Sequence, residues 1–401
     1  MTGHGMTGHG TTGHGTTGPR LRVAQVITRF MAGAGWVALS GALALDPEYF
    51  EVVFIAGEGA DDMVARAREA GHEVALVPHL RSEITPADDR RALADLRACL
   101  KGFDVVHTHS SKAGALGRMA AHQIQAGRVV HTFHGFPFHQ FQSWPRRTAY
   151  IRVEQWLGRY TDVFLAVGPA VAAEAITRRI APSERVRTIG VGVTKAPNAP
   201  GVHERAKGRR LLGVPPGMRV VGTVGRLAFQ KAPEDFVCAL AGLGRGDVFG
   251  VWIGDGPLRA KAERLAAKRG LSGRMLFTGE RADVEVLLPG LDIFAMASRY
   301  EGLPCAIVEA MGAGLPVVAT AVNSVPDVVI AGATGLLVPP GRPELLGRAV
   351  GYLIDNPGEA ARLGAAGRER LGAELTPAAL GAMLSQTYLG ASPVRSELAV
   401  S

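Results

Sequence analysis

The sequence predicts an α/β protein made of two doubly wound parallel sheets. Two observations carry this. Short β-rich runs alternate with helix-length segments, the mark of βαβ units. The alternation stops between Gly190 and Gly217, a stretch rich in Gly and Pro, and then resumes.

In the first half, Leu21–Ile27 reads as a strand, Met31–Gly35 as a glycine loop and Trp36–Leu45 as a helix. Strand Glu51–Gly57, helix Ala60–Ala70, strand His72–Pro78 and helix Pro86–Leu100 follow. Then come strand Asp104–Ser110, helix Gly114–Gln125, and strands Arg128–Gly135 and Thr161–Gly168. In the second half the strands are Arg219–Gly225, Val248–Gly254, Arg274–Gly279, Leu291–Ser298, Leu315–Thr320 and Thr334–Pro340. Each is separated from the next by a helix-length segment, and Pro377–Leu389 is a last helix. The domain boundaries that follow are a first domain at 19–193, a linker at 194–217 ending in a short lead-in helix, a second domain at 218–375, and a helix and tail at 376–401. Residues 1–18 form a degenerate Gly/His/Thr repeat without an apolar face, expected to be a disordered tail rather than a metal site.

Composition narrows the class. The 401 residues are 47% hydrophobic and 20% charged, which suits two or three globular domains with sizeable cores. No apolar run reaches the roughly 18 residues of a membrane span, and no secretory signal opens the chain. Cys99, Cys238 and Cys305 lack metal or redox spacing, which fits a reducing cytoplasm. The formal net charge is +8, but the arginines are scattered rather than clustered, which argues against a nucleic-acid partner.

Ligands of doubly wound sheets bind beyond the carboxyl ends of the strands, and a second such domain places a cleft between the two. In the second domain those ends carry Arg226 and Lys231, then Gly254, then Arg281, then the stretch RYEGLPCAIVEAMGAGLP from Arg299 to Pro316. Proline is at home at the first position of a helix, so the helix is expected to start at Pro304, just after Gly302 and Leu303. Its first amides attract anions. If helical spacing ran across both glutamates, Glu301 and Glu309 would lie roughly 12 Å apart along the axis. That suits the span from sugar to ribose in a nucleotide diphosphate sugar. Arginine and lysine match phosphate oxygens, and glutamate accepts from hydroxyls.

GRLAFQK, IGDGP, FTGE and EGLPCAIVEAMGAGLPVVAT resemble the donor half of family 4 glycosyltransferases, and VVHTHSSKAGALGRMAA and VVHTFHGFPFH resemble the members that build surface polysaccharides and related glycans. The resemblance runs from about Leu21 to Leu371. It implies two Rossmann-like domains facing across a cleft, the GT-B arrangement, and transfer from a UDP-sugar with retention of anomeric configuration and no bound metal. By position it implies that Arg226 and Lys231 grip the diphosphate and Glu309 the ribose. Glu301 would lie beside the transferred sugar, the amides of Leu303 and Cys305 would face phosphate, and His134 would sit near the sugar. Gly33 and Gly35 would form the N-terminal loop facing donor and acceptor. The sequence departs from the family at Asn323–Asp327, at the Ala-Gly-Ala-Gly loop and at Gly168, which leaves the sugar open.

Other readings stand beside this one. Taken alone, Glu301, Glu309, Arg226 and Lys231 are capping or surface charges, and His107 and His109, on one side of their strand, are as readily packing as ligand contacts. Asp255 shapes a turn. The acceptor is a glycan, a lipid-linked molecule or a small molecule. A glycosyltransferase of antibiotic biosynthesis, a UDP-sugar epimerase and a non-catalytic nucleotide-sugar-binding module are the rivals. The aromatic and basic run Phe136–Tyr160 is expected either to lie on an anionic membrane, at its inner face, or to pack into the first domain.

Overall fold

The structure, a computed structural model, describes residues 19–59, 61–190, 192, 199–302, 304–371 and 375–390. The first domain runs β1 (Leu21–Phe30), α1 (Ala32–Leu43), β2 (Phe50–Gly59), α2 (Asp61–Glu69), β3 (Glu73–Leu76), α3 (Pro86–Cys99), β4 (Val105–His109) and α4 (Ser111–Gln123). It continues with β5 (Arg128–Phe133), α5 (Trp144–Leu157), β6 (Val163–Ala166), α6 (Pro169–Thr177) and β7 (Val186–Thr188). The second domain holds α7 (Val202–Leu211), β8 (Arg219–Val224), α8 (Pro233–Gly242), β9 (Val248–Ile253), α9 (Arg259–Lys268) and β10 (Met275–Phe277). After these come α10 (Val284–Leu287), β11 (Ile293–Met296), α11 (Cys305–Gly312), β12 (Val317–Thr320), α12 (Val325–Val328), β13 (Leu336–Val338), α13 (Pro343–Asp355) and α14 (Pro357–Arg370). Helix α15 (Pro377–Leu389) follows.

Both sheets are parallel, with strand orders β3-β2-β1-β4-β5-β6-β7 and β10-β9-β8-β11-β12-β13. The order reverses between β1 and β4 in one sheet and between β8 and β11 in the other, and each reversal opens a crevice at the strand ends. The central strands are buried along their length, as sheets covered on both faces require.

Four expectations are corrected. Met31–Gly35 is not a loop, because α1 already begins at Ala32. Gly33 and Gly35 therefore sit in its first turn, where a Cβ on Gly35 would stand 3.1 Å from the carbonyl carbon of Phe30. Helix α11 begins at Cys305, with Pro304 as its N-cap at φ −80° and ψ 87°, so helical spacing does not extend back to Glu301. The lead-in helix α7 is no linker: Arg205 and Arg209 both pair with Asp292 beside β11, at 2.7 and 2.5 Å, and anchor it on the second domain. Strand β7 and helix α6 lie where no element was assigned. The tail at 1–18 and residues 391–401 lie outside the described residues.

Helix α15 returns to the first domain. It packs on α1, where a Cβ on Gly381 would stand 2.5 Å from the carbonyl oxygen of Ala44. Leu380, Leu384 and Tyr388 are buried there, each worth about 2 kcal/mol for its apolar part.

Candidate active site

The chain leaving β8 carries Gln230 and Lys231, and the chain leaving β11 carries Ser298 and Glu301. These strands flank the switch point of the second sheet, so the segments meet. Lys231 Nζ donates to Glu301 Oε1 at 2.6 Å, and Ser298 Oγ donates to the same oxygen. Gln230 Nε2 donates to Oε2 at 3.2 Å. The backbone N–H of Glu301 donates to Asn323 Oδ1 at 3.0 Å. Glu301 is only 8% exposed, and a carboxylate so buried persists only when paired and hydrogen-bonded.

Lys231 is held by Glu301, while Arg226 is exposed and lines a cleft of ≈ 480 Å³ with Arg29, Glu58, Arg81 and Glu83 of the first domain. Arg281 is engaged elsewhere, bidentate to Asp283 at 2.7 and 2.6 Å. Gly254 has φ +136°, and a Cβ there would stand 2.3 Å from the carbonyl oxygen of Gly225. Backbone packing alone accounts for that glycine. Asp255 shapes the start of α9, accepting from Gly256 N–H at 2.6 Å and Arg259 at 2.8 Å.

On α11, burial pushes the Glu309 carboxyl up; Lys231 opposes the shift and Glu285 adds to it. Burial, then Glu309, pushes the Cys305 thiol up to about 12, so it stays protonated. Leu303 lies outside the described residues.

The two domains touch at this point. A Cβ on Gly302 would stand 1.6 Å from the carbonyl oxygen of His134, so only glycine fits between Glu301 and the first domain. His139 stacks on Tyr300 at 4.3 Å, and Phe141 meets Phe229 edge-on at 5.5 Å. Asp327 Oδ2 accepts from Ala170 N–H at 3.0 Å and so caps the first turn of α6 across the cleft. The segment Asn323–Asp327 thus orients Glu301 at one end and docks the first domain at the other.

His134 is partly exposed. Behind it lie His109 and His107, both buried, their rings 4.2 Å apart. Desolvation lowers the pKa of His134 to about 4 and that of His107 to about 3, and holds His109 and His131 well below their ordinary value. These rings are neutral near pH 7.

The chain matches two family descriptions in series, "Glycosyltransferase Family 4" over residues 31–196 and "Glycosyl transferases group 1" over residues 204–370. It is 30% identical over 319 residues to the UDP-Gal:alpha-D-GlcNAc-diphosphoundecaprenol alpha-1,3-galactosyltransferase of Escherichia coli, covering 76% of this chain and 80% of that one. It belongs to the family 4 glycosyltransferases. The glycosyltransferase is also 39% identical over 186 residues to the 2-deoxystreptamine glucosyltransferase of Streptomyces kanamyceticus, 45% of this chain and 47% of that one. Among solved structures, HepE of Anabaena in complex with UDP and glucose matches with a TM-score of 0.80 at 20% identity, covering 92% of this chain and 99% of that one. This likeness establishes the GT-B fold.

Several residues of the glycosyltransferase site escaped sequence reasoning. Ser298, Gln230 and Asn323 hold Glu301, and Gln25 and Tyr388 stand behind the histidines. Gln230 lay inside the GRLAFQK motif and Asn323 in a departure from the family pattern, but neither was given a role; Ser298, Gln25 and Tyr388 carried no signal.

Proposed function

We propose that this glycosyltransferase moves a hexosyl or N-acetylhexosaminyl group from a UDP-sugar to an acceptor hydroxyl, with retention and without a bound metal. The observation that carries the reading is the contact across the cleft between Gly302, the residue after Glu301, and the backbone of His134. A sugar seated there meets a carboxylate from one domain and a neutral imidazole from the other. The amides at the start of α11, Lys231 and Arg226 would balance the charge that develops on the leaving diphosphate. Glu309 would take the ribose hydroxyls. Lys231 would then be shared between Glu301 and phosphate. The acceptor would enter beside Arg29, Arg81 and Glu83. It would be a glycan or lipid-linked hydroxyl, with the protein at the inner face of an anionic membrane.

A second reading, an antibiotic-building glycosyltransferase acting on an amino sugar or cyclitol, is favoured by the 39% identity over 186 residues to the 2-deoxystreptamine glucosyltransferase.

A thermal-shift panel of nucleotide sugars tests the donor. A ligand at 100 times its Kd stabilises by roughly 2.7 kcal/mol. UDP-sugars are expected to stabilise without added metal, and a glycosylated product rather than free UDP alone separates transfer from epimerisation. Offering a lipid-diphosphate glycan and 2-deoxystreptamine in parallel separates the acceptors. A chain that binds no nucleotide sugar sinks the reading.

A further inference from the structure

Hydrogen bonds run from the C-terminal helix to the cleft, and their direction can be followed atom by atom. Gln25 Nε2 donates to Tyr388 Oη at 2.9 Å. Tyr388 Oη lies 2.6 Å from His107 Nδ1, and His107 Nε2 lies 2.7 Å from Thr132 Oγ1. On its other side, Gln25 Oε1 lies 2.6 Å from His109 Nε2, and His109 Nδ1 lies 2.8 Å from His134 Nε2.

A phenol has one proton. Tyr388 Oη accepts from the amide, and the arrangement that uses its one proton gives it to His107 Nδ1, with His107 donating from Nε2 to Thr132. The same amide turns its carbonyl oxygen to His109. That oxygen only accepts, so the His109 proton is on Nε2 and its Nδ1 is a lone pair. His134 must then donate from Nε2, and its own Nδ1 is an acceptor. Among the described residues no hydrogen bond reaches that Nδ1. Turning the Gln25 amide over would invert each bond from Tyr388 to His134 and leave a proton on His134 Nδ1. Buried hydrogen bonds of this kind act together, because reversing one leaves two donors or two acceptors face to face.

We propose that Tyr388 is a positioning residue which, through Gln25 and His109, holds His134 as its Nε2–H tautomer and so presents an acceptor Nδ1 to the cleft. This deepens the proposed function and rests on its claim that His134 meets a sugar or acceptor hydroxyl. An acceptor nitrogen takes that hydroxyl's proton in a hydrogen bond; the other tautomer would offer a second donor instead. A helix from the end of the chain thus sets the chemistry of a side chain on the far side of the sheet's switch point.

Ring-nitrogen NMR of histidine-labelled full-length protein at pH 7.5 tests this, with His134 assigned by the signal lost in His134→Asn. The wild-type spectrum is expected to show His107, His109 and His134 all protonated on Nε2. In Tyr388→Phe the amide NH₂ loses its acceptor, so the Nδ1–H form of His134 is expected to become populated. Transfer is then expected to fall in kcat in proportion to the fraction of His134 in the Nδ1–H form, about twofold where the two forms are equal, with UDP affinity unchanged. A wild-type His134 protonated on Nδ1 overturns the proposal even if the variant fails to fold. So does an unchanged His134 tautomer in folded Tyr388→Phe. A tautomer that shifts while kcat stays constant supports the positioning role and tells against the placement of His134 at the reacting sugar.

Discussion

Lys231 and Glu301 form an ion pair at the switch point of the second sheet, Nζ to Oε1 at 2.6 Å, with their side chains 17% and 4% exposed. Removing one partner of such a pair leaves an uncompensated buried charge, which costs about 3–5 kcal/mol. Lys231→Ala is therefore expected to lose stability as well as UDP affinity. The two losses separate in the double variant Lys231→Ala/Glu301→Gln, which removes both charges. Stability is expected to return in large part while UDP affinity stays low. Denaturant unfolding and calorimetric UDP titration make the measurement. A double variant that regains UDP binding would make Lys231 a purely structural cation.

Glu309 and Glu301 are expected to fail differently. The ribose belongs to UDP and the transferred sugar does not. Glu309→Gln is thus expected to weaken UDP itself, by about 1.5–3 kcal/mol for hydrogen bonds to a charged group. Glu301→Gln is expected to leave UDP affinity nearly intact and to depress turnover. Equal loss of UDP affinity in both would defeat this division of labour.

The same residues show where the sequence was legible. Alternating strands and helices gave both sheets, because strand periodicity and glycine-ended runs are local signals. Glu301 and Lys231 were each legible as members of motifs, yet 70 residues separate them and their pairing depends on strand order. Tyr388 and Gln25, 363 residues apart, meet only because α15 crosses back to the first domain. Gly33 and Gly35 misled, since glycine is a poor helix former; the close approach to Phe30 accounts for Gly35, while a Cβ on Gly33 would meet nothing within 4 Å. Pro304 misled by one residue because proline also suits the extended residue before a helix, and its ψ of 87° takes that choice.

Helix α5 turns two faces. Glu154 and Leu157 point inward, and Glu154 pairs with the wholly buried Arg118 at 2.8 Å. Outward stand Trp144, 78% exposed, with Val153, Trp156, Arg146 and Arg152, and Arg159 is exposed in the turn just after the helix. Arg147 is less exposed than these. An anionic surface gains about 1 kcal/mol per nearby arginine, so neutralising Arg146, Arg152 and Arg159 is expected to cost about 3 kcal/mol, near a hundredfold in partitioning. Sedimentation with vesicles of anionic and of neutral lipid checks this at low and high salt. Wild-type protein that stays in the supernatant at low salt removes the membrane from the account, and with it the argument for a lipid-linked acceptor.

The histidines make a last prediction, about acid. His107, at about 3, and His134, at about 4, are held below their ordinary value of 6.5 chiefly by desolvation, and His109 and His131 share the direction. Groups packed around them add to the effect: the rings repel one another's charge, and Arg118 opposes protonation of His131. In the unfolded chain each would titrate near 6.5. Above that pH both states are neutral and these rings contribute no pH dependence. Below it the unfolded chain binds protons that the native protein refuses, so stability is lost as pH falls from about 6.5 toward the folded values. At pH 5.5 each ring that stays neutral costs roughly 1.4 kcal/mol, and the four together several kcal/mol. Unfolding midpoints in urea at pH 7.5, 6.5 and 5.5 are expected to fall modestly between the first two, since each unfolded ring is half protonated at pH 6.5, and to drop sharply at the third. His107→Asn would remove one ring from this balance and is expected to flatten the drop, even where it lowers stability at pH 7.5. A midpoint that does not fall between pH 6.5 and 5.5 would mean that the cluster takes up protons in the native state. The hydrogen bonds from Tyr388 to His134 would then have to rearrange, since a doubly protonated imidazole has no lone pair to accept with.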